Sequence, residues 1–117
     1  MCWISYIKPQ RHIAEKDITV YKLMDCVYDD YCRSLMMGFK YKYNTLYSIP
    51  FLTVTKERSG HPRYKDIYVI REGFHSYIEG TLGVNSMGTL KCIIPKGSEY
   101  YIYKDEIVSN QIIINKI

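Results

Sequence analysis

"CIIPKGSEYYIYKDEIVSNQIIINKI", Cys92 to Ile117, holds the most regular patterning in the chain. Apolar and β-branched residues recur in short runs, separated by a Pro95-Lys96-Gly97-Ser98 turn and a polar Lys104-Asp105-Glu106 tip. Runs of this length and composition, bounded by turn residues, read as consecutive strands. Gly97 supplies the positive φ that a tight turn demands. Strands are therefore expected at Leu90–Pro95, Glu99–Tyr103 and Ile107–Ile114, with Ile93, Ile94, Ile107, Val108 and the Ile112–Ile114 run in the core.

Working outward, Asp17-Ile-Thr-Val-Tyr-Lys-Leu-Met and Asp66-Ile-Tyr-Val-Ile-Arg carry the same β-branched alternation. Gly38 to Tyr47 alternates aromatic and polar residues, so that Phe39, Tyr41 and Tyr43 would share one face. Ile49–Thr55 reads as a further extended segment starting at a proline. Residues 25–37 fit either a short helix or a loop with strand, and residues 1–17 an irregular arm broken at Pro9. Lys56–Lys65 is a basic loop containing Gly60 and Pro62, and residues 78–89 a glycine-rich loop or weak hairpin. No strand–helix–strand alternation appears, which argues against a doubly wound fold. The expected class is α+β, mostly antiparallel: one domain over residues 1–117, a small sheet or partly open barrel with one or two short helices.

The chain has 117 residues, of which 47% are apolar, enough for one core and too many for a disordered chain. No apolar run approaches the roughly 18 residues of a membrane span. The N-terminal segment lacks a long apolar centre, because Lys8, Gln10 and Arg11 interrupt it early, so a cytoplasmic location is expected. Cys2, Cys26, Cys32 and Cys92 lack metal-ligand spacing and the secreted setting of a disulfide framework, so free thiols without metal or cofactor are expected.

Thirteen tyrosines accompany three phenylalanines, one tryptophan and a net charge of +4. Rings with polar tips on a mildly basic protein suit a flat, anionic partner. Strand propensity accounts for many of the tyrosines without any ligand.

Arg71-Glu-Gly-Phe-His-Ser-Tyr77 is the first candidate for chemistry. A strand delivers a charged pair, then a glycine, then an imidazole and two hydroxyls that would bond a phosphate or ribose. A histidine packed between Phe74 and Tyr77 is the plainer alternative. Pro95-Lys96-Gly97-Ser98 is the second, an anion-contacting turn without Walker spacing. The candidate ligand-binding set is Arg71, His75, Ser76, Tyr77, Lys96, Ser98 and Tyr100. Lys56, Arg58, His61, Arg63 and Lys65 form a third, less specific anion-attracting element. No nucleophile elbow, zinc-protease helix or dinucleotide fingerprint occurs, and no catalytic residue is assigned.

Gly73–Tyr77, Cys92–Tyr101, Glu106–Ser109 and Ile112–Ile114 together resemble short proteins of gut bacteria and their phages, which share a G-F-H-S-Y element and a C-I-I-P-K-G-S-x-Y-Y tail. The resemblance covers about the last 50 residues, with Asp17–Lys22 as an outlying match, and carries no activity with it. It implies a phage or mobile-element protein acting in the bacterial host by binding. The leading expectation is sequestration of a nucleotide immune signal. The alternatives are a module that blocks a host protein, a nucleotide-degrading enzyme using His75, and a ring-forming structural component. Homo-oligomers are expected, because strand edges in a small domain invite pairing; specific nucleic-acid binding and membrane association are not.

Overall fold

The computed structural model describes residues 3–25, 31–34, 39–78 and 89–115. Its strands, in chain order, are β1 (Trp3–Ser5), β2 (His12–Ile13), β3 (Ile18–Asp25), β4 (Tyr31–Ser34), β5 (Lys40–Lys42), β6 (Leu46–Ser48), β7 (Thr55–Arg58), β8 (Asp66–Ile70), β9 (Phe74–Tyr77), β10 (Thr89–Ile94), β11 (Glu99–Tyr103), β12 (Glu106–Ser109) and β13 (Gln111–Ile114). The described residues contain no helix, and the sheets do not close into a barrel. The expected α+β class is thereby corrected to all-β. Part of the stretch that suited a helix is β4, where Cys32 pairs with Tyr41 of β5; residues 26–30 and 35–37 of that stretch lie outside the described residues, as does most of the glycine-rich loop at 79–88.

Among the described residues all pairings are antiparallel, in two sheets. The larger runs β2-β11-β12-β9-β3-β10-β13-β6, with β4 added at β3 and β5 at β4; the smaller is β1-β8-β7. The curvature of the larger sheet follows from β12 and β13, which are consecutive and separated only by Asn110. β12 pairs with β9 and β13 with β10, while β9 and β10 both pair with β3. One bent length of chain thus bounds both sides of the same run of strands, and the sheet must curl around its inward side chains.

That interior holds Val20, Met24, Cys92, Ile94, Ile112 and Ile114, all essentially unexposed, together with Phe74, Leu90 and Ile107. A second core lies on the other face of β12, where Trp3, Leu52, Ile70, Tyr101 and Val108 meet. Because successive strand residues point to opposite faces, Ile107 enters the first core and Val108 the second. Trp3 locks the small sheet onto this face: its ring centroid is 6.1 Å from that of Tyr101, and Nε1–H donates to the Glu106 carbonyl at 3.2 Å.

Several local expectations change. The expected strand Ile107–Ile114 is broken at Asn110 into β12 and β13, and Ile93 and Ile113, expected in the core, are only partly buried. The irregular arm is instead two short strands, β1 on β8 and β2 on β11. The Gly38–Tyr47 alternation is cut at Asn44, whose φ of 56° and N–H bond to the Ile114 carbonyl at 2.8 Å turn the chain between β5 and β6. The basic loop shortens, because Thr55–Arg58 is β7. Gly97 does take a positive φ, 90°, in the turn between β10 and β11.

Candidate functional site

β9 carries three of the predicted ligand-binding residues, and alternation divides them. His75 and Tyr77 share the face of Val108 and Glu106, their partners on β12. Ser76 points the other way, into the first core beside Phe74 and Ile107. His75 is buried; its ring meets Tyr77 edge-on at 5.3 Å, and Nε2 lies 3.4 Å from Glu106 Oε2 without hydrogen-bond alignment. Burial lowers the His75 pKa, Glu106 opposes this, and Lys22 adds to the lowering. Partial burial and the Glu106 carboxylate both raise the Tyr77 pKa. The ring packs against Tyr77 but not between Phe74 and Tyr77, because Phe74 points into the first core on the opposite face.

The other predicted residues make separate contacts. Arg71 Nη2 donates to Glu57 Oε1 at 2.8 Å, across to β7. The Lys96 N–H donates to Asp17 Oδ1 at 2.8 Å, with the side chain exposed. Ser98 is fully buried; its hydroxyl donates to the Pro95 carbonyl at 2.6 Å and lies 3.0 Å from Gln111 Oε1. Tyr100 stacks on His12 of β2, centroids 5.1 Å apart and planes at 20°. The fold therefore joins His75 with Tyr77 and adds Glu106. It gives Arg71, Ser76 and Ser98 structural partners or an inward orientation instead.

The basic loop gains what the sequence did not reveal in it, a set of flat faces. Tyr6, from the connection between β1 and β2, lies 4.7 Å from Tyr64 and 6.0 Å from His61, centroid to centroid. His61 and Tyr64 are 5.2 Å apart, and Tyr103 extends the group at 6.4 Å from Tyr6. Lys104 Nζ stands 5.5 Å from the Tyr103 ring centroid, within cation–π reach.

The loop has a defined shape. The Ser59 N–H donates to the Lys65 carbonyl at 3.1 Å, the His61 N–H to Ser59 Oγ at 2.9 Å, and the Arg63 N–H to His61 Nδ1 at 3.1 Å. With Nδ1 accepting, a neutral His61 carries its proton on Nε2, the nitrogen left for a ligand. Glu57 and Asp66 are occupied by Arg71 and Lys56. Arg58, Arg63 and Lys65 are exposed and form no ion pair among the described residues. Aromatic faces and exposed cations thus belong to the same loop and its flanks.

Two further residues escaped the sequence reading. Glu99 is buried, and its carboxylate accepts the Leu52 N–H at 2.6 Å and the Arg11 guanidinium. Lys22 lies on the inward row of β3, between Val20 and Met24. Strict alternation in Val20-Tyr-Lys-Leu-Met24 is the signal that could have exposed it, since only a lysine interrupts the apolar row.

Cys32 and Cys92 are buried free thiols, and among the described residues no three His, Cys, Asp or Glu side chains converge as metal ligands. No helix there is long and apolar enough to cross a membrane. The chain matches no protein-family model, and comparison with curated proteins and with solved structures finds no match.

Proposed function

We propose that this protein binds, without chemically altering it, a small anionic ligand that carries a flat ring, and that a nucleotide signal of host defence is the ligand class. The supporting observation is the cluster of Tyr6, His61 and Tyr64 at a loop whose own and flanking residues include Arg58, Arg63 and Lys65, exposed cations with no ion pair among the described residues. Stacking on an aromatic ring contributes about 1–3 kcal/mol per base and tolerates different bases. Guanidinium and ammonium groups supply the charge-assisted bonds that phosphate requires. A phage or mobile-element setting in a bacterial cytoplasm, taken from the sequence resemblance, makes sequestration the use of such binding. In this reading copies of the chain associate through an exposed edge, and β6, with Leu46 half exposed, is the edge that suits it.

Blocking of a host protein is the second reading. It draws on Phe51 and Ile7, which are 68% and 62% exposed. Degradation of a nucleotide by His75 has less support, because that imidazole is buried against Tyr77 and Glu106.

Native mass spectrometry with cyclic and ADP-ribose-type nucleotides tests the proposal and reports subunit number as well. The expected result is a bound mass released unchanged on denaturation, with binding weakened at least about tenfold in Tyr64→Ala and in Arg63→Glu. A released ligand of altered mass would establish an enzyme instead. No bound mass with any nucleotide would overturn the reading in favour of a protein partner.

A further inference from the structure

Lys22 occupies a place that an alternating strand ordinarily reserves for an apolar side chain. Its inward neighbours on β3, Val20 and Met24, are 0% and 1% exposed, and its partner across the ladder is Leu90 of β10. Pairing along β3 is interrupted here. β3 meets β9 at the single pair Tyr21–Tyr77 and takes up β4 at Met24 and Asp25, so Lys22 lies between one pairing and the next. The amine reaches across this gap, and Nζ donates to the His75 carbonyl at 2.7 Å. Unlike Val20 and Met24, Lys22 keeps partial exposure, so the site is open on one side.

A buried ammonium normally has a carboxylate beside it. Lys22 forms no ion pair among the described residues. The groups packed around it are neutral or polar. Tyr41 of β5 has its ring centroid 5.7 Å from Nζ, and burial pushes its phenol up to about 12. Burial likewise pushes the Cys92 thiol of β10 up to about 12, against the lowering influence of Lys22 and with the Cys32 thiol of β4 adding to the rise. His75 of β9 lies beyond, with Glu106 of β12 on its far side. Burial lowers the Lys22 pKa, with Cys92 acting in the opposite sense, a shift toward the neutral, nucleophilic amine. The Tyr21–Tyr77 register also places Ser76 opposite Lys22 on the inward face, where its hydroxyl is fully buried with no hydrogen-bond partner. Such a hydroxyl ordinarily has a partner.

From this geometry we infer that Lys22 is a reactive amine that condenses with a small aldehyde or ketone, at a site separate from the ring-and-cation surface. The Nζ lone pair adds to the carbonyl carbon, and the carbonyl π pair moves to oxygen, which takes up a proton. The resulting carbinolamine loses that oxygen as water while the nitrogen lone pair forms C=N. Nothing is oxidised or reduced, and one water is released for each carbonyl consumed. The Ser76 hydroxyl is the hydrogen-bond donor for the carbonyl oxygen.

Limited labelling of the full chain with propanal, trapped by sodium cyanoborohydride at neutral pH and read by peptide mapping, tests this. An unfolded sample in urea serves as the reference. In the folded protein Lys22 should be the first lysine alkylated, faster than exposed Lys8 and Lys96 by about tenfold. Urea should abolish that preference. Lys22→Arg should remove the early label while circular dichroism stays that of the parent, and Ser76→Ala should slow it. Labelling of Lys22 no faster than Lys8 and Lys96, or only after unfolding, would overturn the proposal. The mapping uses the unaltered chain, so its outcome does not depend on any variant folding.

Discussion

Asn110 and Glu99 hold each other twice. The Asn110 carboxamide oxygen accepts the Glu99 N–H at 2.8 Å, and the Asn110 N–H donates to the Glu99 carbonyl at 3.0 Å. The same asparagine also binds Ile49, whose N–H donates to the Asn110 carbonyl at 2.8 Å. This residue therefore satisfies the backbone at the bend between β12 and β13, where neither ladder continues. Asn110→Ala should lower unfolding stability by about 1–3 kcal/mol, since a mostly buried N–H loses its acceptor. Urea denaturation measures it. A change near zero would mean that water replaces the carboxamide and the bend needs no side chain.

Glu99 itself gathers three parts of the chain, accepting from Leu52 and Arg11 while its backbone pairs in β11. Glu99→Ala leaves the Leu52 N–H without its acceptor and removes the anchor of the segment leading to β2. Hydrogen exchange at His12 and Ile13 should accelerate by at least about tenfold, while exchange at Val20 and Cys92 is little changed. Equal acceleration at all four would show a global loss of stability rather than release of the arm.

His75 should make the protein acid-sensitive. Burial, its largest influence, lowers the pKa in the folded state, so near its ordinary value the unfolded chain binds the proton more readily. Stability from this group is complete well above pH 6.5 and is lost progressively as pH falls from about 6.5 through the folded pKa. Glu106 opposes the lowering; Glu106→Gln should therefore steepen the loss. Thermal melts between pH 7.5 and 5 decide it, and an identical pH profile in His75→Gln would show that other groups set the slope.

Gly73 and Gly97 both have positive φ, 156° and 90°, yet they should respond differently to alanine. A Cβ on Gly73 would lie 2.6 Å from Val108 Cγ2 and 2.8 Å from Leu52 Cδ2, whereas one on Gly97 meets nothing within 4 Å. Gly97→Ala should cost about 1 kcal/mol from backbone conformation alone. Gly73→Ala adds overpacking of the second core, for a total of about 2–4 kcal/mol. Paired denaturation curves test the order, and equal losses would mean that Leu52 yields at little cost.

Sequence by itself determined the local character of the longest strands. Ile18–Asp25, Asp66–Ile70 and the strands between Thr89 and Ile114 were legible, except for the break at Asn110 that divides the last of them, because period-two alternation and turn chemistry act between near neighbours, as Gly97 shows. The short strands were not. Trp3–Ser5 owes its conformation to Tyr68–Ile70 and His12–Ile13 to Glu99–Tyr100, partners too distant in sequence to leave a local period. Tertiary structure alone decided which flat rings share a surface with the basic loop, because Tyr6 reaches it only through the pairing of β1 with β8. It also decided that His75 is buried, that Ser76 faces inward and that Lys22 has no ion pair among the described residues. Alternation assigns a residue to one of two faces; what covers each face depends on long-range pairing, and with it the chemistry of every side chain placed there.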